Sequence, residues 1–199
     1  MPKASPEQAR ATRAMIMRKA FELIYVKGYQ ATSIDEIMAT TSVTKGALFY
    51  HFKNKEELGL AIINEVMYPG LIPYMSDALN RAGDIRTDLY EMMSGLLKAP
   101  FMKVEYGCPA INLIEEMAPL NVPFHQALTR IIKEWQRLIE AAVVKAQKSG
   151  QLSPTQNARQ IAMYITACYG GVRNMGKIFG TPSYTSFLKE FKNYLSTLS

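Results

Sequence analysis

The sequence predicts an all-α protein in two parts: an N-terminal three-helix domain of helix-turn-helix layout over residues 1–54, and a larger helical domain over residues 55–199. Three observations predict it. Apolar residues recur at three- and four-residue spacing along nearly the whole chain, and no run alternates with the period of two that marks a half-buried strand. Polar cap residues stand in front of those stretches, with Gly or Pro near their ends. Charge is also unevenly spread: residues 1–55 hold nine Lys and Arg against four acids, a balance of +5, whereas the rest of the chain carries only +1 of the total +6.

The elements follow in order. Ile16, Ala20, Phe21, Ile24 and Tyr25 form the stripe of a first helix that stops at Gly28. Ser33 and Glu36 have the spacing of a capping box and open a short second helix with Ile34, Ile37 and Met38 on one face. After a tight turn at Thr41-Ser42-Val43, Thr44 caps a third helix that runs to about Tyr50, with Leu48 and Phe52 inward. Asn54 caps a fourth, with Glu56 and Glu57 in its first turn, which Pro69 and Pro73 are expected to interrupt. Further helices are expected at about 85–99, from Cys108-Pro109, over 122–149 as far as Gly150, from Ser153 with Pro154 at the first helical position, and over 183–197. The boundary between the two parts is expected inside the helix that follows Asn54.

Composition narrows the classes of function. Hydrophobic residues at 48% and charged residues at 20% suit a chain that buries a core. Two cysteines, Cys108 and Cys168, exclude a disulfide framework or a four-cysteine zinc site, and two histidines, His51 and His125, leave little room for a histidine-rich metal site. No cofactor is implied. No run of about 18 apolar residues exists to span a membrane, and the polar start lacks the apolar stretch of a signal peptide. A reduced, cytoplasmic protein is the simplest expectation. Nucleotide-binding and zinc-protease motifs (Gly-x-Gly-x-x-Gly, Gly-x-x-x-x-Gly-Lys-Ser/Thr, His-Glu-x-x-His) are absent, so an enzyme is not expected.

A basic module on a neutral body points to a polyanion. Two short helices packed at a steep angle place the second in a major groove, its first residues near base edges. The residue types of 44–55 suit this. Lys45 reaches phosphate or a guanine edge, and the small Gly46 and Ala47 permit close approach. Thr44, Tyr50 and His51 supply hydrogen bonds, Phe49 divides its area between core and DNA backbone, and Ser33 and Lys55 stand at helix starts where a phosphate can be held.

The run Gly28-Tyr29-Gln30-Ala31-Thr32-Ser33-Ile34-Asp35-Glu36-Ile37, followed by Val43 through Leu58, closely resembles the DNA-binding domain of TetR/AcrR-type repressors over about residues 12–60. Two departures stand out: Thr41-Ser42 replaces the usual Ala-Gly of the turn, and Met38 replaces a small residue. The resemblance implies a homodimer built on the last two helices, a palindromic double-stranded DNA operator, and release of that DNA by a small-molecule effector held in the C-terminal domain.

In that domain Met92, Phe101, Tyr106, Cys108, Asn112, Glu116, Trp135 and Tyr169 are the expected ligand-facing residues. Trp135 falls on the inward stripe Leu128, Ile131, Ile132, Leu138 and Ile139, and the 12 methionines suit an adaptable apolar site as readily as plain core filling. Cys108, before Pro109 at a helix start, raises the alternative of a thiol sensor for electrophiles or oxidants, expected to alkylate faster than Cys168 if the helix end is accessible. A DNA-binding dimer with no effector is the other alternative. For dimerisation, Tyr184, Phe187, Leu188, Phe191, Tyr194, Leu195 and Leu198 form one stripe, and Ile161, Ala162, Ile165, Cys168, Tyr169, Val172 and Met175 another, with Gly170, Gly171 and Gly176 permitting close approach.

Overall fold

The computed structural model describes residues 5–81 and 83–198; the polar first four residues, with Lys3 of the basic segment, lie outside them. Ten α-helices are found among the described residues: α1 Pro6–Lys27, α2 Ile34–Ala39, α3 Lys45–His51, α4 Lys55–Ala61, α5 Tyr68–Ala78, α6 Ile85–Lys98, α7 Pro109–Met117, α8 Val122–Lys148, α9 Ala158–Phe179 and α10 Thr181–Ser196. No described residue is in a strand. The chain divides into two compact units, Met1–Pro69 with Asn112–Leu128, and Gly70–Ile111 with Thr129–Ser199. The division between these units falls inside α5, after Pro69, and the first unit also takes in the end of α7 and the start of α8.

The first unit is built on short helices whose ends are locked by side chains. Ser5 and Gln8 form a capping box at the start of α1, an element start that the apolar stripe alone did not mark. Ile16, Ala20, Ile37, Leu48, Phe52, Ile62 and Ile63 are its fully buried centre. Burying each of the larger of these side chains contributes roughly 1.5–3 kcal/mol, which compensates for helices of six or seven residues that would not persist in isolation. Gly59 is required by close packing: a Cβ there would stand 2.6 Å from the Phe124 ring and 2.8 Å from that of Tyr29.

Pro69 and Pro73 do not end the fourth helix as expected. A π-helical stretch, Ile62–Met67, follows α4, with the Tyr68 N–H bonded to the carbonyl of Ile63, and α5 continues through Pro73. A proline inside a helix costs about 3 kcal/mol. Burial of Leu71, Ile72 and Met75 contributes more than that together, so packing outweighs the lost donor.

In the second unit α10 packs on α9 and on α6. Ser153-Pro154 does not start α9. Gln147 instead donates from Nε2 to the carbonyls of Ser153 and Gln156, at 2.9 and 2.8 Å, which holds these residues in a turn, and α9 begins after the Asn157 cap. Gly176 serves packing within the chain, since a Cβ there would meet the Tyr184 ring at 2.4 Å. It is therefore used in the α9–α10 contact. Among the described residues no helix is long and apolar enough to cross a membrane.

Candidate nucleic-acid interface and buried polar cluster

The interface begins with the fixing of α2 and α3. Ser33 Oγ accepts from the Glu36 N–H at 3.1 Å, and the Glu36 carboxylate accepts from the Ser33 N–H at 2.8 Å while also pairing with Lys27. The bond from Lys27, followed by those from Ser33, holds the Glu36 carboxyl down at about 2. Ser33 is thereby engaged in capping with both its amide and its hydroxyl. The turn is closed by hydroxyls: Thr40 Oγ1 donates to the Ile37 carbonyl at 2.8 Å and Thr41 Oγ1 to that of Met38 at 3.0 Å. Thr41, the departure from the usual small residue, thus satisfies a carbonyl at the end of α2.

Thr44 caps α3 by accepting from the Ala47 N–H at 3.2 Å. Leu48 and Phe52 point inward with no exposure, as their spacing predicted. The opposite face carries Lys45, Gly46, Phe49 and Tyr50. Tyr50 is 80% exposed, Phe49 is 41% exposed, and an added Cβ at Gly46 would meet nothing within 4 Å. Lys45 lies 4.0 Å from Asp35, both largely exposed, a weak and easily screened pairing that leaves the ammonium available to a phosphate. Half-buried His51 lies edge-on to Tyr50 at 5.0 Å; burial first, then the charge of Arg13, lowers its pKa.

Lys55 departs from the expectation. Its ammonium donates to the Gln30 carbonyl at 3.3 Å and sits 4.4 Å from the centre of the Tyr29 ring, and burial lowers its pKa. The side chain therefore ties α4 to the loop after α1. Glu116 also departs. Expected to face a ligand, it instead accepts from the Tyr29 and Gln30 N–H groups at 2.8 and 2.6 Å, inside the first unit. Asn112 is half-buried and also belongs to the first unit.

Four of the expected ligand-facing residues, Met92, Cys108, Trp135 and Tyr169, do lie in the interior of the second unit. Trp135 donates from its indole N–H to Met92 Sδ at 3.5 Å and meets the Tyr169 ring edge-on at 5.1 Å. Cys108 neighbours Tyr169, and burial above all raises the Tyr169 pKa well beyond the usual phenol range. Cys108 is only 2% exposed, so the accessible helix end on which its expected reactivity depended is not present. Phe101 is 66% exposed, and Tyr106 is half-buried with Lys103 5.9 Å from its ring centre. The residue that sequence reasoning missed is Arg173, which has no exposed surface. Its one signal was its position four residues after Tyr169 on the apolar stripe of α9.

Short capped helices with a basic, open α3 face define a helix-turn-helix protein. Residues 16–62 match the model of bacterial regulatory proteins of the tetR family, and residues 81–190 match that of the tetracyclin repressor-like C-terminal domain. The chain belongs to the TetR family of transcriptional regulators. It is 35% identical over 205 residues to the Probable HTH-type transcriptional regulator ArpR of Pseudomonas putida, covering 99% of this chain and 94% of that one. It is 28% identical to the transcriptional regulator AcuR of Cereibacter sphaeroides, covering 81% and 74%. The crystal structure of regulatory protein TetR from Rhodobacter sphaeroides superposes with a TM-score of 0.80 at 26% identity, covering 90% and 96%.

Proposed function

We propose that the protein is a ligand-responsive repressor that binds a palindromic operator as a homodimer in the cytoplasm and is released by a small-molecule effector held in its second unit. The observation that carries the DNA-binding part is the split of α3 into a buried face, Leu48 with Phe52 beyond its end, and an open face of Lys45, Gly46, Phe49 and Tyr50. Lys45 and Tyr50 read or hold the DNA at the groove, Thr44, Ala47 and His51 flank them, and Ser33 and Lys55 place helix starts beside the phosphates.

Support for the dimer comes from α9, where Met163, Tyr164, Met175, Ile178 and Phe179 stay exposed although large and apolar. Such a surface is what an isologous interface covers. The operator is sought by sequencing genomic fragments retained by the purified protein. A shared palindrome is the expected result, and retention without sequence preference would refute operator recognition. A metabolite panel titrated against that DNA tests the effector; a protein whose DNA affinity no compound changes would be a dimer without an effector.

A further inference from the structure

We infer that Arg173 is the anion receptor of the second unit, and that the ligand it takes is a small organic acid: a carboxylate on the guanidinium, with its apolar body against Trp135, Met92 and Met102. The inference deepens the effector reading above and rests on it for its regulatory consequence, but not for binding itself.

Arg173 is fully buried, and among the described residues no carboxylate pairs with it. Its Nε donates to Tyr169 Oη at 3.1 Å and one terminal nitrogen to Tyr184 Oη at 3.1 Å. The other terminal nitrogen donates to the Leu96 carbonyl and lies 3.5 Å from Met102 Sδ. The rings of Tyr169 and Tyr184 stand 5.3 and 5.4 Å from the guanidinium carbon, within cation–π range. All of these partners disperse the charge, and none neutralises it. Burying an ion without a counter-ion costs several kcal/mol after relaxation. A fold that needed only to fill this position would do so more cheaply with an apolar side chain.

The neighbouring donor, Trp135, has only a weak acceptor. Its indole N–H donates to Met92 sulfur, and Met102 sulfur is a second partner of the guanidinium nitrogen that donates to the Leu96 carbonyl. A thioether is a weak acceptor. The Tyr169 side chain joins the two donors, its ring against Trp135 and its hydroxyl on Arg173. The Trp135 donor thus rests on one flexible side chain, Met92, and a second, Met102, lies against the guanidinium. Methionine has three rotatable bonds, so Met92 and Met102 withdraw at little cost and open room for a ligand body. A planar carboxylate matches the guanidinium fork, and charge-assisted bonds of this kind are about twice as strong as neutral ones.

Trp135 is the only tryptophan in the chain, so its fluorescence reports this cluster and no other site. The full-length protein is titrated at constant ionic strength with hexanoate, octanoate, benzoate and cinnamate, and in parallel with the amide of each. The expected result is saturable change in Trp135 emission with at least one acid and binding at least tenfold weaker for its amide. Arg173→Met is expected to abolish acid binding and Arg173→Lys, which keeps charge but loses the fork, to weaken it. Equal binding of acid and amide, no response to any acid, or undiminished acid binding by Arg173→Met would each overturn the inference and leave Arg173 a structural residue. Should Arg173→Met fail to fold by circular dichroism, the acid-to-amide ratio of the unaltered protein decides. DNA affinity measured on the same samples keeps the two readings apart. An acid that binds at Trp135 without changing DNA affinity supports the receptor and removes effector control by that ligand. A neutral compound that releases DNA while no acid binds overturns the receptor and keeps effector control.

Discussion

The α3 surface and the interior of the second unit solve opposite problems. On α3 the side chains proposed to meet DNA are exposed and the helix that carries them is held from beneath by Leu48 and Phe52 and at its start by Thr44. In the second unit the chemically interesting groups, Trp135, Tyr169, Cys108 and Arg173, are themselves the buried material. The difference teaches that stability and the proposed recognition are separable at α3, where one face is buried and the other open, and merged in the second unit, where any change to a group proposed to meet a ligand also changes the packing.

Substitutions can break that comparison. The largest effect is expected from Leu48→Ala, which removes a fully buried side chain and should destabilise the first unit by about 2–5 kcal/mol in urea unfolding. Tyr50→Ala, two residues away and largely exposed, should leave stability within about 0.5 kcal/mol and weaken DNA binding. Comparable stability losses for the two would mean that the faces of α3 are not divided as described.

Next in size is Glu116→Ala. It strips a charge-assisted acceptor from two backbone N–H groups and should cost about 1.5–3 kcal/mol of stability by thermal or urea unfolding. An unchanged unfolding midpoint would show that the clamp on Tyr29 and Gln30 is replaced by water at no cost.

The smallest effect concerns acid. The folded pKa of Glu36 is depressed to about 2, so its stabilising contribution is complete above the ordinary carboxylate value of 4.5 and is lost as pH falls from there toward 2. Glu36→Gln should therefore flatten the acid limb of a stability-versus-pH curve while changing little in its shape above pH 5. An identical acid limb in both proteins would mean that the exposed pair with Lys27 is screened out.

The comparison also explains what was legible in the sequence. Caps and turns are local, so Ser33 with Glu36, Thr44 and Asn54 could be read from neighbours three residues away. The inward pair Leu48 and Phe52 follows from helical spacing alone. Partners distant in the chain could not be read. Glu116 has the residue type of a ligand contact, yet the amides that claim it lie 87 and 86 residues earlier. Lys55 reads as a phosphate contact until the fold brings the Gln30 carbonyl and the Tyr29 ring beneath it. Arg173 is barely marked by the sequence because burial of an arginine is decided by the surrounding helices, not by its own segment. At Ser153-Pro154 a sound local start signal was overruled by the side chain of Gln147.

Whether the open face of α3 is the surface that reads DNA is settled by one titration: the affinity of Lys45→Ala for the selected operator fragment and for a scrambled fragment, across salt concentrations. If Lys45 contacts a base, specific binding should weaken by about 1–3 kcal/mol with discrimination reduced; if it holds phosphate, both fragments should weaken and the slope of log affinity against log salt should fall by about one. Specific affinity, discrimination and slope all unchanged in Lys45→Ala, and again in the double variant with Tyr50→Ala, would contradict the placement of this helix in the groove.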